Sequence, residues 1–218
     1  MIEKVQTHLK ENYLKSEYDN LPRFISYFYQ IDLIRELQPK KVLEIGIGNK
    51  TVSTYLKERH YEITTCDLDV DLEPDYVADI RKLPFQNNTF DVVMVCQILE
   101  HIPYESVSGA LSELFRVSRK NVIISLPYNS TYFEVVFKFP YIRKLINKEF
   151  IDLFMRIPLS FMKIGSSGNH HWEIARRGYP LRKVRKTIRE KFKILKEFRP
   201  PLNGYHHFFV LEKKQNLN

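Results

Sequence analysis

Three stretches of this sequence bring together residue types that can do chemistry. The first is Glu44-Ile45-Gly46-Ile47-Gly48. Val42, Leu43 and Ile45 form a short apolar run, long enough for a buried strand and too short for a helix. Glycines two apart after a strand permit a tight turn with no Cβ in the way, so a ligand can approach the backbone. With Asn49 as N-cap and a helix over residues 50–59, the order strand, glycine turn, helix suits a nucleotide-like ligand at the edge of an α/β sheet. The dinucleotide fingerprint G-x-G-x-x-G is not met, because its third position falls on Thr51. The second stretch holds two acids that close strands, Asp67 and Asp79. A carboxylate at the end of the second strand has two acceptor oxygens and suits paired ribose hydroxyls. The third is imidazole: His101 in Leu99-Glu100-His101-Ile102, and His170-His171-Trp172-Glu173. Imidazole titrates near neutral pH, so His101, His170 and His171 are candidate bases, with Glu173 as orienter or alternative base. His101 also reads as a helix-entry histidine packing on Glu100. No metal is assigned, because the adjacent His-His-Glu residues lack a fourth ligand elsewhere.

These groups need elements to position them. Ile2, Val5 and Leu9 recur at helical spacing, and Phe24, Phe28, Ile31, Ile34 and Leu37 form a second helical stripe, entered at Asp19-Asn20 with Pro22 and closed by Pro39. These helices precede the first strand and lie over the sheet edge or the ligand mouth. A second strand over 63–66 ends at Asp67. Asp69, Asp71, Glu73 and Asp75 follow, with no room for a helix before a third short strand at 76–78. Phe90–Cys96 is the near-continuous apolar run that a central parallel strand requires. A helix over 106–119 follows, then a fifth strand over 122–126 stopped by Pro127. A last helix over 180–191 and two closing strands, 192–198 and 206–211, complete a hairpin across the turn at 200–204.

The ordered series ExGxG, Asp67, then Ala78-Asp79-Ile80, Leu83-Pro84-Phe85, Phe90-Asp91-Val92-Val93 and Leu99-Glu100-His101-Ile102 resembles the type 11 branch of class I S-adenosylmethionine-dependent methyltransferases. It spans residues 41–127. The resemblance implies a Rossmann-like α/β fold: a seven-stranded, mostly parallel sheet with helices on both faces and a closing antiparallel hairpin strand. It implies S-adenosyl-L-methionine as cofactor. Glu44, Gly46 and Gly48 would lie along its methionine part and Asp67 at the ribose. Leu68 would lie beside the adenine, Asp79 at its amino group, and Ile80 stacked nearby. Gln97 follows the fourth strand, where the chain runs from cofactor toward acceptor. His-Trp-Glu stretches similar to 171–173 precede the last helix in relatives of this branch, which points to a substrate-facing role. Two departures stand out. Lys50 occupies a third glycine position, and the helix after the second strand is missing, which leaves less wall on the adenine side.

The remaining sequence suggests one domain in four parts: N-terminal helices over 1–40, the cofactor core at 41–127, an insertion at 128–170, and a C-terminal helix with closing strands at 171–218. The insertion is dense in Phe and Tyr, is broadly helical in period, and starts at the carboxyl end of the fifth strand. It reads as a substrate lid, with a dimer face or a membrane-surface patch as alternatives, given Lys138, Arg143, Lys144 and Lys148. Net charge is +8, yet residues 176–199 alone hold 11 Lys/Arg against two Glu, so the rest is near neutral. That segment reads as a solvated helix face. Cys66 and Cys96 lie inside strand patterns as small hydrophobes of a reducing compartment. With neither a signal-peptide core nor a spanning segment visible, the expectation is a cytoplasmic protein. The expected activity is O- or N-methylation of a small-molecule or lipid-linked acceptor. The competing readings are an RNA methyltransferase using the basic 176–199 face, and a cofactor-binding protein without catalysis. Against RNA, no Asn-Pro-Pro-Tyr-type motif follows the fourth strand, where the chain has Cys96-Gln97-Ile98-Leu99. Acceptor identity and oligomeric state are left open by the sequence.

Overall fold

The computed structural model describes residues 10–13, 15–141, 143, 149–157 and 169–214. Alternating side chains build its centre. In β1 (Lys41–Ile45), Leu43 and Ile45 face one side of the sheet and Val42 the other. The same alternation runs through β4 (Phe90–Cys96), β5 (Ser118–Pro127) and β9 (His206–Lys213). Strands apolar on both faces need helices on both faces. On one side lie α4 (Tyr104–Val117), through Val107, Leu111 and Leu114, and α5 (Leu181–Arg189), through Val184 and Ile188. On the other lie α2 (Leu21–Leu37), through Leu33 and Ile34, and α3 (Thr51–Glu58), through Val52 and Leu56. A single helical turn, α1 (Lys10–Tyr13), precedes them.

With β2 (Glu62–Asp67), β3 (Tyr76–Val77) and β8 (Phe192–Phe198), the sheet has seven strands in the order β3-β2-β1-β4-β5-β9-β8. β1, β2, β3, β4 and β5 pair in parallel, and β9 runs antiparallel to both its neighbours. The expected sheet and closing hairpin are present. The expected gap after β2 is bridged by one 3-10 turn, Val70–Leu72.

Four expectations change. The helix after the glycine turn is capped at Lys50, not Asn49, and Lys50 adopts the left-handed backbone (φ 62°) that a third glycine would take without cost. In α2 the stripe is rotated: Phe24 and Phe28 are exposed, while Ser26 and Gln30 are buried beside Leu33 and Ile34. Helix α4 starts two residues early and β5 is longer at both ends than its apolar run, because flanking residues join the ladder with β4 and β9. Over 132–137 and 151–156 the insertion forms a hairpin where helical spacing is expected: β6 (Tyr132–Phe137) pairs antiparallel with β7 (Ile151–Arg156), and Arg143 between them is helical. Opposed pairs put Phe133, Val135, Leu153 and Met155 on one face of the ribbon, and Tyr132, Val136 and Phe154 on the other. The expected helix at Ile2, Val5 and Leu9, and the insertion's Pro158, Phe161, Lys144 and Lys148, lie outside the described residues.

The hairpin is pinned by charge and close approach. Arg199, nearly buried, pairs with Glu134 and Asp152, and Arg156 stacks on Tyr128 and bonds Ser130. The Tyr132 ring sits where a Cβ on Gly204 would come within 2.5 Å, so only glycine fits there. The opposite face, with Phe133, Leu153 and Met155, is exposed. Among the described residues, no helix is long and apolar enough to cross a membrane.

Candidate active site

A cavity of about 600 Å³ opens at the carboxyl ends of β1, β2 and β4, where open α/β sheets bind ligands. Its floor is the glycine turn. Gly46 has φ 82°, and a Cβ there would lie 2.0 Å from Ile98 Cδ1, so strain and space both exclude a side chain. Asp67 is locked by the backbone: Oδ2 accepts from Ile47 N at 2.9 Å and Oδ1 from Asp69 N at 3.0 Å. Burial raises its pKa, and these amides pull it back. Leu68, Ile80 and Gln97 also line the cavity. Gln97 has φ 58° and donates Nε2–H to Ser125 Oγ at 3.2 Å. Asp79 lines it too, but both its oxygens accept from Arg81, which holds its carboxyl below the usual range despite partial burial. Its capacity toward a ligand is therefore smaller than the sequence suggested.

Glu44 enters the cavity from the α3 side, 5 % exposed, with Oε2 unpartnered. Burial pushes its carboxyl up to about 8, against the Ser53 hydroxyl and Lys57. A carboxyl raised above its ordinary value of 4.5 gives its full stabilisation below that pH and loses it as pH rises through about 8. The cofactor-free protein should thus lose melting temperature between about pH 5 and about pH 8, and Glu44→Gln should lose less. Parallel melting curves for the two proteins would contradict this assignment.

The wall facing the turn comes from the N-terminal segment. Tyr13, Tyr18, Arg23 and Tyr27 line the cavity. Arg23 lies 3.7 Å above the Tyr18 ring and donates to Tyr18 O, and Tyr27 OH donates to Asn49 Oδ1 at 3.1 Å. Sequence pattern alone hints little at these residues, because Tyr13 and Tyr18 sit in a polar stretch and Tyr27 lies within α2 but off the apolar stripe read there. Their number within one short segment was the available signal. Of the described residues in 128–170, only His170 lines the cavity. The described hairpin packs on the turn at 199–204, and among the described residues the cover over the glycine turn comes from residues 13–27.

The last wall is built by two distant segments. The 3-10 turn Leu99–His101 buries Glu100 and turns His101 to the cavity. Residues 169–173 are tied onto it: His171 N donates to Glu100 O at 2.9 Å, and Trp172 Nε1 donates to Leu99 O and Ile102 O. Trp172 is core and not ligand wall. His101 and His170 meet edge to face, ring centres 4.8 Å apart. His101 Nδ1 pairs with Asn169 O at 3.1 Å, and His170 Nδ1 with Glu173 Oε1 at 2.6 Å. Glu173 is fully buried and also accepts from Asn129 and Tyr205; burial raises its carboxyl, but these bonds outweigh it and hold it below the usual range. His171 is exposed and lies outside the cavity wall. Thus His101, His170 and Glu173 come together, and the side chain of His171 does not.

Residues 43–126 match the family model of a methyltransferase domain, type 11. That stretch, from β1 to β5, is similar to a methyltransferase domain. An uncharacterized protein of Methanocaldococcus jannaschii is 26% identical over 151 residues, covering 59% of this chain and 65% of that relative, just under two thirds of its length. The fold of the methyltransferase domain is shared with the Burkholderia thailandensis 1,6-didemethyltoxoflavin-N1-methyltransferase, crystallised with 1,6-didemethyltoxoflavin and S-adenosylhomocysteine (TM-score 0.61, 13% identity, 94% of this chain and 84% of that one). It is also shared with the N-methyltransferase NodS of Bradyrhizobium japonicum, in complex with S-adenosylhomocysteine (TM-score 0.59, 11% identity, 94% and 97% covered).

Proposed function

We propose that the protein is an S-adenosylmethionine-dependent methyltransferase acting at an oxygen or nitrogen of a small-molecule acceptor. One observation carries this reading: a single cavity joins the glycine cradle and Asp67 to the His101–His170 wall. The residues fit the cofactor. The Gly46 turn leaves room for a ligand against the backbone, Asp67 retains acceptor capacity beyond its two amides, and Glu44 Oε2 lacks a partner. Bound there, S-adenosylmethionine supplies a methyl group on a good sulfonium leaving group. The chain's share is therefore mainly placement. Glu44, Gly46 and Gly48 hold the methionine part and Asp67 the ribose hydroxyls. Leu68 and Ile80 flank the adenine, and Asp79 reaches its amino group with the capacity Arg81 leaves. Gln97 stands where cofactor and acceptor meet. His170, aimed by Glu173, takes the acceptor's proton, with His101 beside it as the alternative base. His171 serves through its backbone bond to Glu100. The structural neighbours crystallised with S-adenosylhomocysteine, one of them with 1,6-didemethyltoxoflavin, support a small acceptor.

A lipid-linked acceptor is the second reading, favoured by the exposed face of Phe133, Leu153 and Met155 on the hairpin. The RNA reading loses ground. In the basic segment, Arg185 pairs with Glu197, Lys196 with Glu36 and Arg199 with Glu134, while Lys183 lies over Tyr104 and Tyr179. The decisive experiment offers methyl-labelled cofactor with separate metabolite, lipid and RNA extracts at physiological salt. Label should enter the metabolite fraction. Label confined to lipid promotes the second reading, label in RNA overturns both, and absence of cofactor binding by calorimetry removes the enzyme itself.

A further inference from the structure

We propose that Glu100, His101 and His170 form a binding site for a divalent transition-metal ion on the acceptor wall, and that the acceptor is accordingly a hydroxyl compound presenting oxygen to that ion. The proposal rests on the methyltransferase reading and narrows its substrate class. One donor atom from each residue lies within 4.8 Å of the other two. An ion held at ~2.1 Å from nitrogen and oxygen donors wants them roughly 3 to 3.5 Å apart, so small side-chain rotations close the site.

Three observations point to a cation. Glu100 is fully buried, and neither carboxylate oxygen has a hydrogen-bond partner, an arrangement costly for the charged form, which is relieved by a proton or by a cation meeting it. Both imidazoles are oriented as metal-bound histidines are. A ring Nδ1–H given to Asn169 O in His101, and to Glu173 Oε1 in His170, puts each ring's lone pair on Nε2. The Glu173 partner is itself fixed by Asn129 and Tyr205, which completes an outer shell. Charge also balances. Glu100 and Glu173 together offset a doubly charged ion, so it would not repel the cationic cofactor across the cavity. Two imidazoles and one carboxylate suit zinc, manganese, iron or cobalt better than magnesium.

His101 and His170 face the cavity while Glu100 lies behind them, so further coordination positions of the ion point toward the acceptor. A hydroxyl brought there has its pKa lowered. Its proton leaves to solvent, the oxygen lone pair forms the O–CH3 bond, and the electrons of the breaking C–S bond stay on sulfur as the neutral thioether. Without metal, the proton falls to His170, as in the simpler reading.

The test uses full-length protein freed of metal with chelator, then titrated with cobalt(II) and followed by visible absorption, with zinc calorimetry in parallel. One ion per chain is expected. Glu100→Gln and His170→Gln should each abolish it, Glu173→Gln should weaken it about 10–100-fold, and His60→Ala, an exposed histidine elsewhere, should leave it unchanged. Cofactor affinity measured on the same metal-free samples reports folding and separates the two readings. Intact cofactor binding with no cobalt spectrum at millimolar metal overturns the site and spares the methyltransferase. Undiminished metal binding in both folded ligand variants overturns it equally.

Discussion

Replacing His170 with alanine should slow methyl transfer about 10²–10⁴-fold while cofactor affinity stays at the wild-type value, the effect of losing a positioned base. Its imidazole lies on the acceptor wall, and a 2.6 Å bond to buried Glu173 fixes its ring. Asp67 and the glycine turn, by contrast, belong to β2 and the β1–α3 connection and share no hydrogen bond with His170, so binding and turnover should separate. His101→Ala should cost less, and His171→Ala least, since that side chain is exposed. Removing His170 also strips a partner from Glu173, so melting temperature must be recorded with the single-turnover rate, both in chelator. A drop in melting temperature with an unchanged rate makes the histidine a pin for the 169–173 segment. A wild-type rate in His170→Ala beside a dead His101→Ala moves the base to His101.

Asp67→Ala should weaken S-adenosylmethionine binding by ~1.5–3 kcal/mol, roughly 10–150-fold, the scale of hydrogen bonds to a charged group. The carboxylate also shapes the cradle through Ile47 N and Asp69 N, so both the ribose contact and the turn are lost together. Asp67→Asn keeps acceptor oxygen for one amide and should fall between. Calorimetry giving equal affinities for wild type and Asp67→Ala would remove the ribose assignment.

The cofactor half of this protein was legible from its sequence because it is built from local rules. After the strand of Val42, Leu43 and Ile45, Gly46 and Gly48 make a tight, open turn accessible, at the positive φ both adopt. Asp67 ends its strand one crossover later, so its place beside that turn follows from parallel pairing, seen in Ile45 opposite Cys66. Side-chain partners were beyond reach: Arg81 closing on Asp79 depends on a rotamer, and Lys50 in a left-handed backbone depends on the turn around it. The insertion misled for a physical reason. Aromatic and β-branched residues at mixed spacing fit a helix and a two-stranded ribbon alike, and cross-strand pairs such as Phe133–Met155 decide between them only in three dimensions. The acceptor wall is the clearest case. In the sequence, His170 and Glu173 had no further ligand nearby, and Glu100 was a mere neighbour of His101. Folding carries the 169–173 segment back onto the Leu99–His101 turn through His171 N and the Trp172 indole, long-range bonds that no local pattern encodes. The sequence determined the cofactor fold and its carboxylates; the tertiary structure decided what stands opposite them, because that wall is made where distant segments meet.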